Sequence, residues 1–465
     1  MFLISDDYLD RVALVCNDGC IVTYKELKGL VNDFSTYLDE RSLIFLLGSN
    51  DIDSLVCYFA SMDSGVVPLL LSDNIKDDQL NNLIDIYSPK YIFSKRVLNN
   101  DSYLLKDNFR KSNLFSRDEA HDAKLHDDLA LLLTTSGSTG SPKLVKLTKE
   151  NIKSNAESIS EYLKIGCDDR AITSLPFNYS YGLSVINSHL FSGGSIILSN
   201  SSMMEDKFWK SINDYSATSI AGVPYNYEMM LRLGIDNLKI PTVNKMTQAG
   251  GKLNYQKVKK INDSLRLKGI NFYTMYGQTE ATARISYLPS DDIDKKPNSI
   301  GIPIPGGRLW LENKKGLKIS DTMIVGEMIY KGLNVSMGYA ESVADLGIGE
   351  VNNGILRTGD LAYFDEEGYY FIEGRINRFI KVFGNRISLD SLEKLITSKG
   401  FDPVVTGVDD KIVIYIKEVP DLSIADFRKK ISESIGINMM AIKIIPVEDF
   451  PRFESGKINY KALNS

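Results

Sequence analysis

The stretch Leu131–Asn151, LLLTTSGSTGSPKLVKLTKEN, places three glycine or proline residues and six hydroxyl side chains between two apolar runs. Buried strands do not need such a segment, and the turns that join hairpins are usually shorter. Small residues let backbone N–H groups approach an anion closely. The stretch therefore predicts a phosphate-binding loop. An ordinary flexible Ser/Gly turn remains an open alternative from this segment alone.

The order of residues in this loop differs from the GxxxxGK[ST] phosphate loop, which leads directly into a helix. Here the spaced residues are Gly137, Gly140 and Lys143, and Leu144 stands where a Ser or Thr would hold magnesium. The following KLVKLT has the pattern of a strand, and helical periodicity begins only in KENIKSNAESISEYLK. We therefore expect the loop at the tip of a hairpin, which argues against a P-loop NTPase or kinase.

Length and composition indicate a large globular protein with more than one domain. The chain has 465 residues, of which 43% are hydrophobic and 25% charged, with a net charge of −6 and a pI of about 5.4. The acidic balance argues against nucleic acid as the main partner. In the run Lys257–Lys260, Val258 shares helical spacing with Ile261 and Leu265, which predicts a solvated helix face for the lysines.

Cysteine and histidine usage predicts neither a disulfide framework nor a zinc site. Cys16 and Cys20 lack further cysteine or histidine ligands nearby, in a chain with four cysteines and three histidines. The N-terminal MFLISDDYLDR carries acids where a signal peptide needs basic residues. No apolar run approaches the roughly 20 residues of a membrane span. We therefore expect a soluble, cytoplasmic protein without a membrane span.

Alternating element types predict an α/β fold with mostly parallel, helix-covered sheets. SLIFLLGS, VVPLLLS, GGSIILSN and INFYTMYG have the pattern of buried strands, whereas TYKELKGLVNDFSTYLDE and SLVCYFASMDSG have helical periodicity. From about Gly326 the sequence becomes β-rich, and after Leu389 it has the pattern of a small α+β unit. We expect a large N-terminal domain, 1–375, that includes the β-rich part, and a small mobile C-terminal domain, 376–465.

Six motifs in order extend this interpretation to nearly the whole chain. They are SGSTGSPK (136–143), MYGQTEATARISYLP (275–289), GEMIYKGLNVSMGY (326–339), RTGDLAYFDEEGYYFIEGR (357–375), FIKVFGNRI (379–387) and ESGKINYKAL (454–463). They resemble the motifs of the adenylate-forming superfamily: acyl-CoA synthetases, peptide-synthetase adenylation domains and luciferase. The resemblance implies AMP-forming activation of a small carboxylic acid with ATP and Mg²⁺, followed by transfer of the acyl group.

The resemblance also implies a set of nucleotide-site residues. Lys457 matches the catalytic lysine that bridges the substrate carboxylate and the α-phosphate, and Glu280 matches the residue that holds Mg²⁺. Asp360 matches the carboxylate that binds the ribose hydroxyls, with Arg375 beside it. Tyr276 is expected against the adenine. The others expected at the nucleotide are Thr135, Ser136, Gly137, Ser138, Thr139 (also catalytic), Gly140, Lys143, Gly250, Gly251, Gly277, Gln278 and Thr279.

The segment LPFNYSYGLSVINSHLFSGGSIIL (175–198) aligns with the part of the family that carries an acid in amino-acid-activating members. No acid lies between Phe177 and Ser195, so a substrate α-ammonium would be buried without a partner at a cost of several kcal/mol. Ordinary α-amino acids are therefore disfavoured. The expected pocket offers hydroxyl and amide groups that suggest a small polar acyl group, from Asn178, Tyr179, Tyr181, Gly182, Tyr225 and Tyr227.

The C-terminal motifs imply a rotating domain and a second substrate. Asn377 stands where many relatives carry Asp or Lys at a hinge, and Asn tolerates left-handed dihedrals. Gly384 and Arg386 are expected on the acceptor side. The alternatives for the acceptor are coenzyme A, the phosphopantetheine of an acyl carrier protein, or an amine, as in surface-polysaccharide or secondary-metabolite synthesis. A non-catalytic nucleotide-binding homologue and a luciferase-like oxygenase are the alternatives outside this class.

Overall fold

A computed structural model describes residues 1–39, 41–117, 124–134, 143–417, 423–453 and 456–463. Within these ranges the chain forms two large and two small sheets together with eleven α-helices. The helices are α1 (Tyr24–Ser35), α2 (Ile52–Ser64), α3 (Asp77–Tyr87), α4 (Lys149–Leu163), α5 (Ser180–Phe191), α6 (Asp206–Asp214), α7 (Pro224–Leu233), α8 (Tyr255–Leu267), α9 (Leu389–Ser398), α10 (Ile424–Ile435) and α11 (Tyr460–Leu463).

The strands are numbered in chain order. They are β1 (Val12–Cys16), β2 (Ile21–Thr23), β3 (Leu43–Gly48), β4 (Val67–Ser72), β5 (Tyr91–Ser94), β6 (Leu104–Phe109), β7 (Ser112–Ser116), β8 (Leu129–Thr134), β9 (Leu144–Thr148), β10 (Arg170–Ile172), β11 (Ser195–Leu198), β12 (Ser219–Gly222), β13 (Lys245–Gln248), β14 (Asn271–Tyr276), β15 (Ser286–Leu288), β16 (Ser299–Pro303), β17 (Arg308–Glu312), β18 (Lys318–Ile319), β19 (Gly326–Lys331), β20 (Gly338–Ala340), β21 (Ile355–Phe364), β22 (Tyr370–Arg375), β23 (Phe379–Val382), β24 (Asn385–Ser388), β25 (Pro403–Val408), β26 (Lys411–Ile416) and β27 (Ile442–Pro446).

One large sheet has eight strands in the order β20-β9-β8-β4-β3-β5-β7-β6. Its central strands β8, β4, β3 and β5 are parallel, and the outer strands pair antiparallel. The strands predicted in SLIFLLGS and VVPLLLS are β3 and β4, and the helix predicted between them is α2. These three predictions are confirmed.

The other large sheet has fourteen strands in the order β18-β17-β19-β21-β22-β16-β15-β14-β13-β12-β10-β11-β1-β2. The run from β14 to β1 is parallel, and the other pairs are antiparallel. The α/β class is confirmed. The β-rich part begins at Ser286 rather than near Gly326, and it continues the same sheet. The sequence did not show this earlier start, because β15, β16 and β18 are too short for their periodicity to be recognised.

Helices cover both large sheets because each buries an apolar face. In α4, Thr148 and Asn151 exchange backbone–side-chain hydrogen bonds of 2.9 and 3.0 Å in a capping box, while Ile152, Ala156 and Ile159 are buried. Among the helices of the described ranges, none has an apolar stretch long enough to cross a bilayer.

The strands on either side of the quoted loop form an antiparallel hairpin, with Thr134 opposite Leu144. Helix α4 begins only at Lys149, after β9 is complete. The predicted hairpin is therefore confirmed, and the loop does not lead directly into a helix. Residues 135–142 lie outside the described residues.

The strands after Arg375 belong to two separate small sheets, β23-β24 and β25-β26-β27. Ile380, Ile396, Val405 and Ile414, with α10, share a core made of residues from this part of the chain. The division at residues 375 and 376 stays a prediction, and this separate core agrees with it.

We predict that Gly301→Ala strongly destabilises the fourteen-stranded sheet where β16 joins its two halves. Gly301 has φ of +82°, and an added Cβ would lie 1.8 Å from the Tyr287 carbonyl oxygen, a backbone atom that cannot move aside. The free energy of unfolding, measured by urea denaturation, should fall by more than about 3 kcal/mol. The control Gly316→Ala, at φ of +75° in open space, should cost about 1 kcal/mol. Equal losses would contradict the steric explanation.

Candidate active site

Several of the predicted site residues follow the carboxyl ends of neighbouring parallel strands. Tyr179 follows β10, Gly250 follows β13, and Gly277 follows β14. Since the carboxyl ends of parallel strands meet at one edge of a sheet, these segments come together there, which is where ligands bind in open α/β sheets.

Asp360 is the centre of a hydrogen-bonded cluster. Its side chain is 3% exposed, and it forms an ion pair with Arg375, whose Nε lies 3.0 Å from Oδ1. The Tyr276 hydroxyl donates to Asp360 Oδ2. Gln278 Nε2 donates to the same oxygen at 3.0 Å and to the Thr358 carbonyl at 2.9 Å. Four residues that the sequence analysis assigned to the nucleotide therefore lie together.

Burial raises the pKa of the Asp360 carboxyl above its ordinary value, although the Arg375 charge and the hydrogen bonds from Tyr276 and Gln278 act in the opposite direction. Burial, reinforced by the nearby Asp360 charge, also raises the pKa of Tyr276. The Tyr276 hydroxyl therefore stays a neutral donor at physiological pH.

Glu280 lies close to Lys143, at the C-terminal end of the predicted phosphate loop. The Tyr339 hydroxyl donates to Glu280 Oε1 at 2.8 Å, and Lys143 Nζ lies 4.2 Å from the centre of the Tyr339 ring. Lys143 is also 3.1 Å from Glu341 Oε1. Thr279 Oγ1 lies 3.3 Å from Ser180 Oγ. Of the loop residues predicted to bind phosphate, Thr135, Ser136, Gly137, Ser138, Thr139 and Gly140 lie outside the described residues.

Glycine is required at the predicted site positions for different physical reasons. Gly250 has φ of +82°, and an added Cβ would lie 2.5 Å from the Tyr179 hydroxyl. A Cβ on Gly251 would lie 3.2 Å from Pro224 Cγ. Gly277 packs against the Ala283 carbonyl, and Gly182 against that of Pro176, at 1.7 and 2.3 Å from an added Cβ. Close backbone packing therefore suffices to explain Gly277 and Gly182 without a ligand.

Lys457 is partly buried beside Tyr179, although it is far from the other site residues in sequence. Its Nζ is 5.0 Å from the centre of the Tyr179 ring, and the preceding Gly456 packs closely against Val223. Burial and the Arg375 charge lower the pKa of Lys457, while the Glu280 charge acts in the opposite direction. The Lys457 ammonium therefore interacts electrostatically with Glu280, which was assigned to magnesium from the sequence, and with Arg375, which was assigned to the ribose.

Charged contacts join the segment around Lys457 to helices α7 and α8. Arg452 lies 4.9 Å from the centre of the Tyr225 ring and 3.6 Å from Glu228 Oε2. Lys257 Nζ pairs with Glu228 at 2.8 Å and with Asp402 at 3.1 Å. The predicted solvated helix face is found in α8, where Lys259 and Lys260 are exposed. Lys257 is partly exposed and also pairs with Asp402, an acid distant in sequence.

The predicted tyrosine hydroxyls are not all available to a substrate. The hydroxyls of Tyr181 and Tyr227 both donate to the Thr247 carbonyl at 2.8 Å. The Tyr225 ring faces Arg452. The Tyr179 and Tyr225 hydroxyls and the Asn178 amide have no hydrogen-bond partner among the described residues. The structure therefore corrects the idea of a pocket lined by four tyrosine hydroxyls.

Sequence reasoning missed Arg284. Its side chain is about 2% exposed, and its guanidinium carbon lies 4.0 Å from the centre of the Tyr181 ring. Its Nε is buried without a hydrogen-bond partner. The signal available in the sequence was a single arginine among the small residues of TEATAR, which does not reveal burial.

The predicted hinge and acceptor residues lie at the start of the C-terminal part. Asn377 is exposed in the turn between β22 and β23, without a left-handed φ. Phe383 and Gly384, with φ of 48° and 85°, form the two-residue turn of the β23–β24 hairpin. Arg386 lies opposite Lys381 in the backbone register of that hairpin, and its side chain lies outside the described residues.

A family model described as AMP-binding enzyme matches residues 5–340. The chain belongs to the AMP-binding enzyme family. It is 27% identical over 475 residues to the D-alanine–D-alanyl carrier protein ligase of Staphylococcus aureus (strain Newman), which covers 95% of this chain and 93% of that relative.

Two further comparisons set the scale of the similarity to this family. The chain is 22% identical over 483 residues to bacitracin synthase 2 of Bacillus licheniformis, and the match covers 98% of this chain but 18% of the length of that relative. The fold is that of O-succinylbenzoate coenzyme A synthetase from Bacillus subtilis in complex with AMP. That comparison has a TM-score of 0.77 and 22% identity, and it covers 98% of this chain and 96% of the other.

We predict that Lys257→Met loosens the contact between α8 and the C-terminal part. The variant loses two ion pairs, which together contribute about 1 kcal/mol in partly exposed positions. This loss should increase the fraction of molecules in which the contact is open by about five-fold. Trypsin should therefore cleave at Arg375 and Arg378 about five times faster. Lys260→Met, an exposed charge three residues away, is the matched control and should leave the rate unchanged. Equal rates in the two variants would show that Lys257 does not hold this contact.

Proposed function

We propose that the protein is an ATP-dependent, AMP-forming carboxylate ligase that transfers the acyl group to a thiol. The observation that supports the proposal is that the partly buried Lys457 interacts electrostatically with Glu280 and with Arg375, which is itself paired with Asp360. Activation brings a carboxylate and a polyphosphate together, so positioned positive charge is the main requirement. A cytoplasmic location, where ATP is available, is part of the proposal.

In the first half-reaction a carboxylate oxygen attacks the α-phosphorus of ATP, forming the acyl-adenylate and releasing pyrophosphate. Lys457 would hold the carboxylate and the α-phosphate together. Asp360 would accept hydrogen bonds from the ribose, because its Oδ1 has a single donor, Arg375. Tyr276 would lie at the adenine and Lys143 near the phosphates, together with the hydroxyls and amides of residues 135–140.

The described residues suit a magnesium ion on the phosphates. Within them no group of three histidine, cysteine or acidic residues forms a metal site of its own. Mg²⁺ is commonly held by one or two carboxylates together with phosphate and water, so a cage is not required. Glu280 uses Oε1 for Tyr339, and Oε2 has no partner among these residues. Mg²⁺ would neutralise phosphate charge there, with Glu280 as its ligand.

In the second half-reaction a thiol sulfur attacks the acyl carbonyl carbon and AMP leaves. We propose that the domain 376–465 rotates about Asn377 to withdraw Lys457 and to bring Gly384 and Arg386 to the acceptor side. The names of the relatives, a carrier protein ligase and a coenzyme A synthetase, support a thiol acceptor. An amine acceptor is the second candidate.

The deciding experiment is carboxylate-dependent pyrophosphate release across a panel of acids, followed by addition of coenzyme A, a pantetheinylated carrier protein or an amine. Thioester formation is the expected result. No release with any acid would favour a non-catalytic nucleotide-binding protein. Consumption of O₂ or emission of light would indicate a luciferase-like oxygenase.

We predict that Lys457→Ala slows adenylate formation by roughly 10²–10³, the loss typical of removing one preorganised donor. Transfer from a chemically supplied acyl-adenylate to the thiol should be nearly unchanged. The two steps are measured by pyrophosphate release and by single-turnover thioester formation. Lys443→Ala, an exposed lysine on β27, is the control. Asn377→Pro, which fixes φ and stiffens the hinge, should slow transfer more than adenylation. Equal slowing of both steps by Lys457→Ala would exclude the rotating-domain mechanism.

We predict that Glu280→Gln keeps the fold and weakens the use of Mg·ATP. The amide supplies one neutral oxygen where the ion prefers an anionic ligand. The magnesium concentration that gives half-maximal pyrophosphate release should rise by at least about ten-fold, a loss of about 1.4 kcal/mol. The control Glu341→Gln changes a neighbouring exposed acid. A wild-type magnesium dependence in Glu280→Gln would remove Glu280 from the metal site.

A further inference from the structure

Arg284 differs from the other buried cations that the structure describes. Lys245 pairs with Asp169 at 2.6 Å. Lys146 donates to two backbone carbonyls at 2.7 and 2.8 Å. The partly buried Arg170 donates to Ser195 Oγ at 2.8 Å and to the Tyr215 carbonyl at 2.6 Å. Arg284 is about 2% exposed, yet among the described residues no carboxylate lies within ion-pair distance of it and its Nε has no acceptor.

The surroundings of Arg284 are aromatic. The guanidinium stacks on Tyr181 at 4.0 Å, and Tyr181 is fixed by its bond to the Thr247 carbonyl. Burial raises the pKa of Tyr162 to about 12, and the charge of Arg284 and its hydrogen bond to the Tyr162 hydroxyl both act in the opposite direction. The Arg284 charge also opposes the effect of burial on the pKa of Tyr179. The Arg284 charge therefore acts on Tyr162, Tyr179 and Tyr181, and no acid among the described residues forms an ion pair with Arg284.

A buried charge without a counterion is costly. Contact with an aromatic face offsets about 2 kcal/mol when it is desolvated, less than the several kcal/mol by which burial disfavours an ion. An anion in a bidentate hydrogen bond would compensate the guanidinium charge. Arg284 therefore has the chemistry of an anion-binding group.

The position of Arg284 relates that anion to the reacting carboxylate. Lys457 Nζ lies 5.0 Å from the Tyr179 ring, the rings of Tyr179 and Tyr181 are 6.2 Å apart, and Arg284 lies on Tyr181. Lys457 thus lies near one tyrosine of this pair, and Arg284 lies on the other. The Asn178 amide, without a partner among the described residues, precedes Tyr179.

We propose that Arg284 binds a second carboxylate of the substrate, and that the acid activated by this protein is a dicarboxylic acid. The proposal rests on the ligase function above. One carboxylate reacts beside Lys457, and the other forms a bidentate ion pair with Arg284, which selects against acids with an uncharged end. The absence of an acid between Phe177 and Ser195 agrees with an anionic substrate.

The test compares linear dicarboxylic acids from oxalate to adipate, and phthalate, with their monomethyl esters in the pyrophosphate assay. For the best acid, kcat/KM of the wild type should exceed that of the monoester by at least about 100-fold. Arg284→Met should remove this preference by lowering the diacid value, and should change the monoester value by less than about three-fold. Arg284→Lys should restore part of the preference, because it keeps the charge but loses the planar fork.

Thermal denaturation separates this role from a structural one. Arg284→Met replaces an unpaired buried charge, so its Tm without substrate should be equal to or above that of the wild type. Saturating diacid should raise the Tm of the wild type and not that of Arg284→Met. Arg170→Met, the control for loss of a hydrogen-bonded arginine, should lower the Tm and leave the acid preference unchanged.

Each outcome separates the two proposals. Equal use of diacids and monoesters by the wild type would overturn the dicarboxylate inference and leave the ligase function standing. No pyrophosphate with any acid would overturn the ligase function, and the diacid-dependent Tm shift would still decide whether Arg284 binds an anion. A lowered Tm in Arg284→Met, with the acid preference retained in Arg284→Lys and Arg284→Met, would show that Arg284 is structural.

Discussion

The ion pair between Asp360 and Arg375 is the contact on which the candidate site depends. The two residues are direct partners across β21 and β22, and Arg375 is the last residue of its strand. The buried carboxylate is stabilised by donors from Tyr276 and Gln278 as well as by the guanidinium. The Arg375 backbone N–H then donates to Asp390 on α9 at 2.7 Å. One pair thus connects the sheet, the loop after β14 and the first helix of the C-terminal part.

Charge is distributed unevenly along the candidate site. Asp360 and Glu280 lie on the side proposed for ribose and phosphates, where a magnesium ion and hydroxyl donors would suit them. Lys457 stands between that side and the aromatic acyl region, and burial lowers its pKa without a direct carboxylate partner among the described residues. Arg284 lies on the Tyr181 ring. In the dicarboxylate proposal, Lys457 and Arg284 are the cations for the two ends of the substrate.

The proposed acyl region is built mainly from α5 and the segment after β14. In the dicarboxylate proposal, specificity for the acid depends on Arg284 and on Tyr181, whose hydroxyl is held by Thr247 in β13.

The sequence by itself determined the α/β class, the hairpin around the phosphate loop and the motif residues, because periodicity, turn chemistry and motif order are local properties. It did not reveal that β15 to β18 extend the parallel sheet, since strands of two to five residues have too few side chains to show a period. Only the tertiary structure decided that the hydroxyls of Tyr181 and Tyr227 donate hydrogen bonds to the Thr247 carbonyl and that Lys257 contacts Asp402. The burial of Arg284 without a counterion was also decided there. Burial and hydrogen-bond partners come from residues distant in the chain, and no local pattern records them.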